Sequence, residues 1–264
     1  MKKACVTINQ MRKKDEIISF GSLLKDTLQG IEIFYPYNMD LAQQKEYAKY
    51  IAYILAEYPY TERVLHLPFG ANCHIVDPSL YPNVEELQLA AIGFASRYAC
   101  DRLTLHLGTI PASMTREEAK DFVLPHLITL AQEAKKHGMW LDIENMPSKS
   151  ELGYYPEEIV ELIKRSGMDN IGVCFDTGHA HVADTEDTKA LRILGPYLKH
   201  IHLNDNHGER DEHKTFGMGN IDFKAINQVC EEIGYDGLYC LEIIYHTKED
   251  IAHNAELFRS LFTN

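Results

Sequence analysis

Six short apolar runs in this chain each carry one histidine or carboxylate: Val-Leu-His66-Leu-Pro, Leu-His106-Leu-Gly, Asp-Ile-Glu144-Asn, Cys-Phe-Asp176-Thr, Ile-His202-Leu-Asn and Leu-Glu242-Ile-Ile. Charge set inside apolar sequence is costly to bury unless it is paired, and a divalent cation pairs several such groups at once. Nitrogen and carboxylate donors without thiolate suit Zn²⁺, Mn²⁺, Fe²⁺ or Co²⁺, and disfavour a dedicated Ca²⁺ site. Two carboxylates on one ion, Glu144 and Glu242, can move protons on opposite faces of a carbon. Two further stretches add donors. Asp176-Thr-Gly178-His179-Ala-His181 places an imidazole three residues past a candidate ligand. The segment after His202 runs to an Asp211-Glu-His213 pair, able with His179 to take another ion, and then to Gly217-Met-Gly219-Asn-Ile-Asp222. A lone Gly-x-Gly is weak support for phosphate binding, and Asp222 reads as an N-cap for the next helix.

These groups need a scaffold that brings six separate runs together. The β-type runs are Ala4–Ile8, Gly30–Tyr35, Val64–Phe69, Leu103–Leu107, Trp140–Asn145, Ile171–Phe175, His200–Leu203 and Leu238–Ile243. Between them lie helical patterns at Asp40–Ala56, Val84–Tyr98, Arg116–His137, Pro156–Ser166, Thr188–Leu198, Phe223–Ile233 and Glu249–Phe262. In Val84–Tyr98, Leu87, Ala90, Ala91, Phe94 and Ala95 form a stripe at helical spacing. Strands apolar on both faces that alternate with helices imply a parallel sheet covered on both sides. Eight units in 264 residues, about 33 each, favour closure into an α/β fold of one (β/α)₈ TIM barrel over residues 1–264. Functional groups of such a barrel sit at the carboxyl ends of its strands, which is where the six residues fall. No glycine-rich dinucleotide loop follows the first strand.

Composition narrows the function classes. The chain is 45% hydrophobic and 25% charged, which fits a globular fold and excludes disordered and fibrous classes. A formal net charge of −13 gives no basic footprint for nucleic acid. The Arg12-Lys13-Lys14 cluster reads as a solvated loop. No run is long enough for a membrane span, the start turns polar too early for a signal peptide, and six scattered cysteines lack a C-x-x-C pair. A cytosolic protein is expected.

The motifs Leu-Asp-Ile-Glu144-Asn, Gly-Val-Cys-Phe-Asp176-Thr-Gly-His179, His202-Leu-Asn-Asp-Asn with Asp211-Glu-His213, and Phe-Gly-Met-Gly-Asn-Ile-Asp222-Phe resemble the xylose isomerase-like TIM-barrel superfamily. That group holds sugar isomerases and epimerases together with apurinic/apyrimidinic endonucleases of family 2. The isomerase resemblance implies one metal on Glu144, Asp176, His202 and Glu242, with Glu144 and Glu242 shuttling a proton through an enediol-type intermediate and His179 touching substrate. The endonuclease resemblance implies three zinc ions. His66, His106 and Glu144 would hold the first, Asp176, His202 and Glu242 with Glu144 bridging the second, and His179, Asp211 and His213 the third. Two positions depart from these patterns: Gly208 stands where the epimerases carry an arginine, and Gly178 where the endonucleases carry a cysteine.

The expectation is a divalent-metal enzyme, with zinc or manganese and one to three ions, that isomerises or epimerises a sugar. Zinc-dependent cleavage of abasic DNA is the alternative. The expected partner is a small sugar, with DNA entering only under the alternative; no membrane is involved, and homo-oligomers are allowed. Substrate contacts are expected from His66, His106, His179 and Glu32, the last reaching hydroxyls from the second strand. Phe34-Tyr35-Pro36-Tyr37 is read either as a stacking wall or as loop packing. His181, His200, His207 and His246 read as surface or core residues, Trp140 as packing, and Cys174 as interior filling.

Overall fold

A computed structural model describes residues 2–8, 28–57, 60–183 and 186–262. The basic cluster Arg12-Lys13-Lys14 lies outside the described residues. Eight strands close in sequence order: β1 Lys3–Ile8, β2 Gly30–Phe34, β3 Glu62–His66, β4 Arg102–Leu105, β5 Trp140–Glu144, β6 Ile171–Asp176, β7 Leu198–Leu203 and β8 Leu238–Leu241. Every neighbouring pair is parallel, and β1 pairs with β8 to close the barrel. The expected (β/α)₈ TIM barrel is therefore observed.

The described α-helices are α1 Leu41–Glu57, α2 Asn83–Arg97, α3 Arg116–Lys136, α4 Pro156–Ser166, α5 Thr177–Val182, α6 Asp187–Leu194, α7 Phe223–Glu232 and α8 Lys248–Phe262. Local chemistry sets their ends. Thr115 and Glu118 form a reciprocal capping box at the start of α3. Pro156 opens α4, and Gly167 closes it in the left-handed region at φ 63°. Asp222 accepts from the amides of Lys224 and Ala225 at 3.1 and 3.0 Å, so it is the N-cap of α7.

Several boundaries differ from the sequence reading for physical reasons. The third strand ends at His66, because Pro68 has no amide to continue the ladder. The expected Thr188–Leu198 helix stops at Leu194, passes through a 3₁₀ turn at Gly195–Tyr197 that contains Pro196, and releases Leu198 into β7. In α2 the buried stripe is Val84, Gln88, Ala91, Ile92, Phe94 and Ala95, so Ala91, Phe94 and Ala95 of the expected stripe are buried while Ala90 is exposed. Gln88 joins that stripe with its side-chain Nε2 donating to the Pro68 carbonyl at 2.9 Å, which pairs one end of the buried amide.

The barrel interior is unusually polar. Near its floor, Arg102 Nη1 lies 2.8 Å from Asp142 Oδ2, and Asp142 is fully buried. Burial pushes the Asp142 carboxyl above its ordinary range against the pull of Arg102. Replacing Arg102 strands that carboxylate. The variant Arg102→Leu is expected to lose about 3–5 kcal/mol at neutral pH, measured by urea denaturation. Part of the loss should return on acidification, since a carboxyl raised by burial favours the protonated fold. Stability equal to the parent would show that the pair does not anchor the floor.

Candidate metal centre

The strand ends bring the expected donors together at the carboxyl mouth of the barrel. His66, Glu144 and Asp176 close β3, β5 and β6; His202 lies near the end of β7; His106 and Glu242 follow β4 and β8 by one residue. His179 arrives on α5, whose first turn is fixed by its own neighbour, because Asp176 Oδ1 accepts the His179 amide at 2.6 Å. That six-residue helix is too short to show periodicity in the sequence, and Asp176 is its N-cap.

Glu144 is the hub. Its Oε2 lies 2.7 Å from His106 Nε2 and 3.5 Å from His66 Nε2, while its Oε1 lies 3.2 Å from His202 Nδ1 and 3.5 Å from His179 Nδ1. His202 Nδ1 also faces Glu242 Oε2 at 2.9 Å and Asp176 Oδ2 at 3.8 Å. Glu242 Oε2 has no aligned hydrogen bond, although it is buried. Two ligands on one ion at roughly 2.0–2.2 Å sit about 3.0–3.4 Å apart, which is the spacing around His202. One donor atom each from Glu144, Asp176, His202 and Glu242 falls within a 4.8 Å set, and the same holds for His66, His106 and Glu144. The residues fit a divalent cation.

A third cluster stands beside these. Asp211 Oδ2 lies 2.7 Å from His213 Nε2 and 3.4 Å from His179 Nε2. Backbone carbonyls aim three of the rings: the Nδ1 atoms of His66, His179 and His213 lie 2.9 Å from the carbonyls of Leu67, Asn145 and Glu242. An Nδ1–H bonded to a carbonyl leaves the Nε2 lone pair free to face the mouth.

Protonation reflects the crowding. Burial alone would raise the Glu144 carboxyl, but the facing imidazoles of His106 and His202 hold it well below its usual range. Asp176 is pushed up to about 7 by burial, with Glu242 and Glu144 adding repulsion against the pull of His179. Burial disfavours the charged His213 ring, yet Glu242 and Asp211 overcome it and lift its pKa to about 10. His179 and His202 are likewise held well above the ordinary imidazole range against burial, by Asp176 and Asp211 for the first and by Cys174 and Glu242 for the second. Protons on these rings balance carboxylates that a metal would otherwise neutralise.

Not every expected residue reaches the mouth. Glu32 is fully buried at mid-strand, below the ring, and does not line the cavity; its carboxylate faces His202, Thr104 and Cys240. The expectation that it contacts substrate hydroxyls is corrected by this position. The Gly217-Met-Gly219 turn is not a phosphate cradle, because the amides of Gly217, Gly219 and Ile221 already donate to Asp205 at 2.8, 2.9 and 3.2 Å. Of the aromatic run, Phe34 lines the cavity and stacks on His66, whereas Tyr35 packs on Phe94 and Tyr37 bonds the Phe69 carbonyl. His181 is held by Asp187 and Asn220. His207 and His246 are exposed, and His200 is fully buried. Lys199 covers Trp140, and burial raises the Cys174 thiol far above its ordinary range.

Sequence reasoning missed the residues that orient ligands. Asn204 Nδ2 donates to Asp176 Oδ2 at 2.8 Å, and Asn145 is bonded to both backbone atoms of Asp176. Each follows a ligand closely in sequence, which is the one signal that could have marked them. A Cβ at Gly178 would fall 1.9 Å from Asn204 Oδ1, so a side chain there would have to displace the amide that holds Asp176. Also missed were the cavity walls Phe69, Ile243, Ile244 and Tyr245, which with Thr7 and Phe34 enclose about 260 Å³ above the ligands.

The chain is thus a closed (β/α)₈ barrel whose mouth gathers histidines and carboxylates from six strands into a donor set that could hold a metal ion. The chain belongs to the xylose isomerase-like TIM-barrel family, whose model matches residues 24–261. It is 32% identical over 190 residues to an uncharacterized protein of Methanocaldococcus jannaschii, covering 69% of this chain and 64% of that one. A probable endonuclease 4 of Acholeplasma laidlawii is 29% identical over 200 residues, covering 69% and 62%. The chain thus spans just under two thirds of the length of each of these two relatives. A crystal structure of a D-tagatose 3-epimerase-like protein superposes with a TM-score of 0.85 at 24% identity, covering 100% of this chain and 97% of that one, a likeness of fold.

Metal uptake must displace the protons described above. Zn²⁺ binding near pH 7 is expected to release protons, read with an indicator dye, and its apparent affinity should fall as pH drops from about 8 to 6. The sign follows because the metal must displace the proton that His213, near 10, holds throughout this range, and the proton that Asp176, near 7, takes up as pH falls. Affinity independent of pH over that range would contradict the assignment of these groups as ligands.

Proposed function

We propose that this chain is a divalent-metal-dependent isomerase or epimerase of a sugar or sugar derivative. The observation that carries the reading is the convergence of Glu144 and Glu242 on His202 Nδ1, at 3.2 and 2.9 Å, beneath a small cavity with aromatic walls. At about 260 Å³ the cavity lies below the roughly 300–1,000 Å³ of drug-sized sites, a scale suited to a monosaccharide. No lysine or arginine is among the described residues that line it, which suits an uncharged polyol. Glu144 and Glu242 come from β5 and β8, so a substrate seated between them meets one carboxylate on each side. One, as carboxylate, removes a proton from carbon to leave an enediol-type intermediate, and the other, having taken a proton from solvent, delivers that different proton to carbon. The Nε2 atoms of His66 and His179 reach substrate oxygens, with His106 beside them. Phe34 and Phe69 exclude water over the reacting carbon. A divalent ion, zinc or manganese, would polarise the carbonyl and hydroxyl oxygens when bound.

A second reading rests on a separate observation: His66 and His106 meet one oxygen of Glu144, and His179, Asp211 and His213 form their own cluster. That donor set suits three ions and hydrolysis of a phosphodiester, as in an abasic-site endonuclease.

The test is a panel of free aldoses and ketoses incubated in D₂O with Mn²⁺ or Zn²⁺ and followed by NMR. The proposal expects deuterium at the carbon next to the carbonyl, abolished by chelation, with Glu144→Gln and Glu242→Gln each slowing exchange by at least about 10²-fold. Full exchange by the Gln variants would refute the acid/base roles. A metal-dependent nick at an abasic site in duplex DNA, with no exchange on any sugar, would favour the second reading.

A further inference from the structure

We infer that Glu32 is a positioning residue for the metal centre, holding the His202 ring so that Nδ1 presents its lone pair to the mouth. The inference rests on the reading of that mouth as a metal site. An imidazole ligates through a nitrogen that carries no proton, so the proton of a neutral ring must sit on the other nitrogen. His202 has Nδ1 among Glu144, Glu242 and Asp176, and its Nε2 points down into the barrel. There Nε2 lies 2.9 Å from Glu32 Oε2, within ion-pair reach though off the line of an ideal hydrogen bond, and no other polar atom bonds it. Both residues are fully buried, so water does not compete for the contact.

The surroundings of Glu32 point the same way. Thr104 Oγ1 donates to Glu32 Oε1 at 3.0 Å, and Cys240 Sγ donates to Oε2 at 3.1 Å. These two donors come from β4 and β8 and pin the carboxylate from either side, leaving it aimed at the imidazole. A buried carboxylate with no catalytic contact is a poor way to fill a barrel, since an apolar residue would cost less. Its position is explained by the ring it faces. A carboxylate behind a ligating histidine fixes the tautomer and raises the basicity of the ligand nitrogen, and losing such a partner weakens metal binding by about 10–100-fold.

The experiment compares wild type with Glu32→Gln and Thr104→Val by chelator competition for Zn²⁺, with ¹⁵N-histidine NMR of the Zn²⁺-loaded proteins. In wild type the His202 Nε2 should carry the proton and Nδ1 the metal. Glu32→Gln should bind Zn²⁺ about 10–100-fold more weakly, with the His202 ring signals displaced and an unchanged circular dichroism spectrum. Thr104→Val keeps the carboxylate but loosens its aim, so it should weaken binding in the same direction by less. A folded Glu32→Gln protein with wild-type affinity and unchanged His202 signals would overturn the inference; if that variant fails to fold, unchanged affinity in Thr104→Val would do so. A wild-type protein that takes up no Zn²⁺ would instead overturn the metal-centre reading, and this inference with it.

Discussion

Two carboxylates, Glu144 and Glu242, approach the same nitrogen of His202 to 3.2 and 2.9 Å at the base of the mouth cavity, where Glu144 and His202 are buried. Like charges so close repel strongly at low dielectric unless a cation lies among them. Asp176 at 3.8 Å and the Asp211–His213 pair extend the same crowding. Much of the mouth is built to hold these charges still. Asn204 and Asn145 clasp Asp176, backbone carbonyls fix three rings, and Asp205 ties down the turn that follows His213.

The closed parallel barrel supplies the rigidity this requires. Each principal donor stands within one residue of the end of a different strand, and every strand is hydrogen-bonded on both sides. Ligands on such elements keep their spacing better than ligands on free loops. The interior below the mouth is polar as well, from the Arg102–Asp142 pair at the floor to Glu32 and His202 above it. Those layers trade apolar packing for orientation of the groups above.

The fold was legible because its signal is repeated. Eight apolar runs alternating with helical stripes leave few architectures open, and β6 is buried at every position, as a strand covered on both faces must be. The ring of donors was legible for the same reason, since each sits at a similar place in its run. Depth within a strand was not. Glu32 and Glu144 look alike in sequence, but β2 continues two residues beyond Glu32 whereas β5 ends at Glu144. A shift of two residues moves a side chain one layer down the barrel, from substrate to support. The stripe of α2 slipped for a related reason, because Gln88 is polar in sequence yet buried, with its Nε2 on the Pro68 carbonyl.

The central claim is that the mouth is a metal centre, and elemental analysis of protein purified without chelator tests it most directly. The account predicts at least one transition-metal or zinc ion per chain, lost when Glu144 is replaced by alanine. A chain that carries no such ion and takes up none on titration with Zn²⁺ or Mn²⁺ would contradict it.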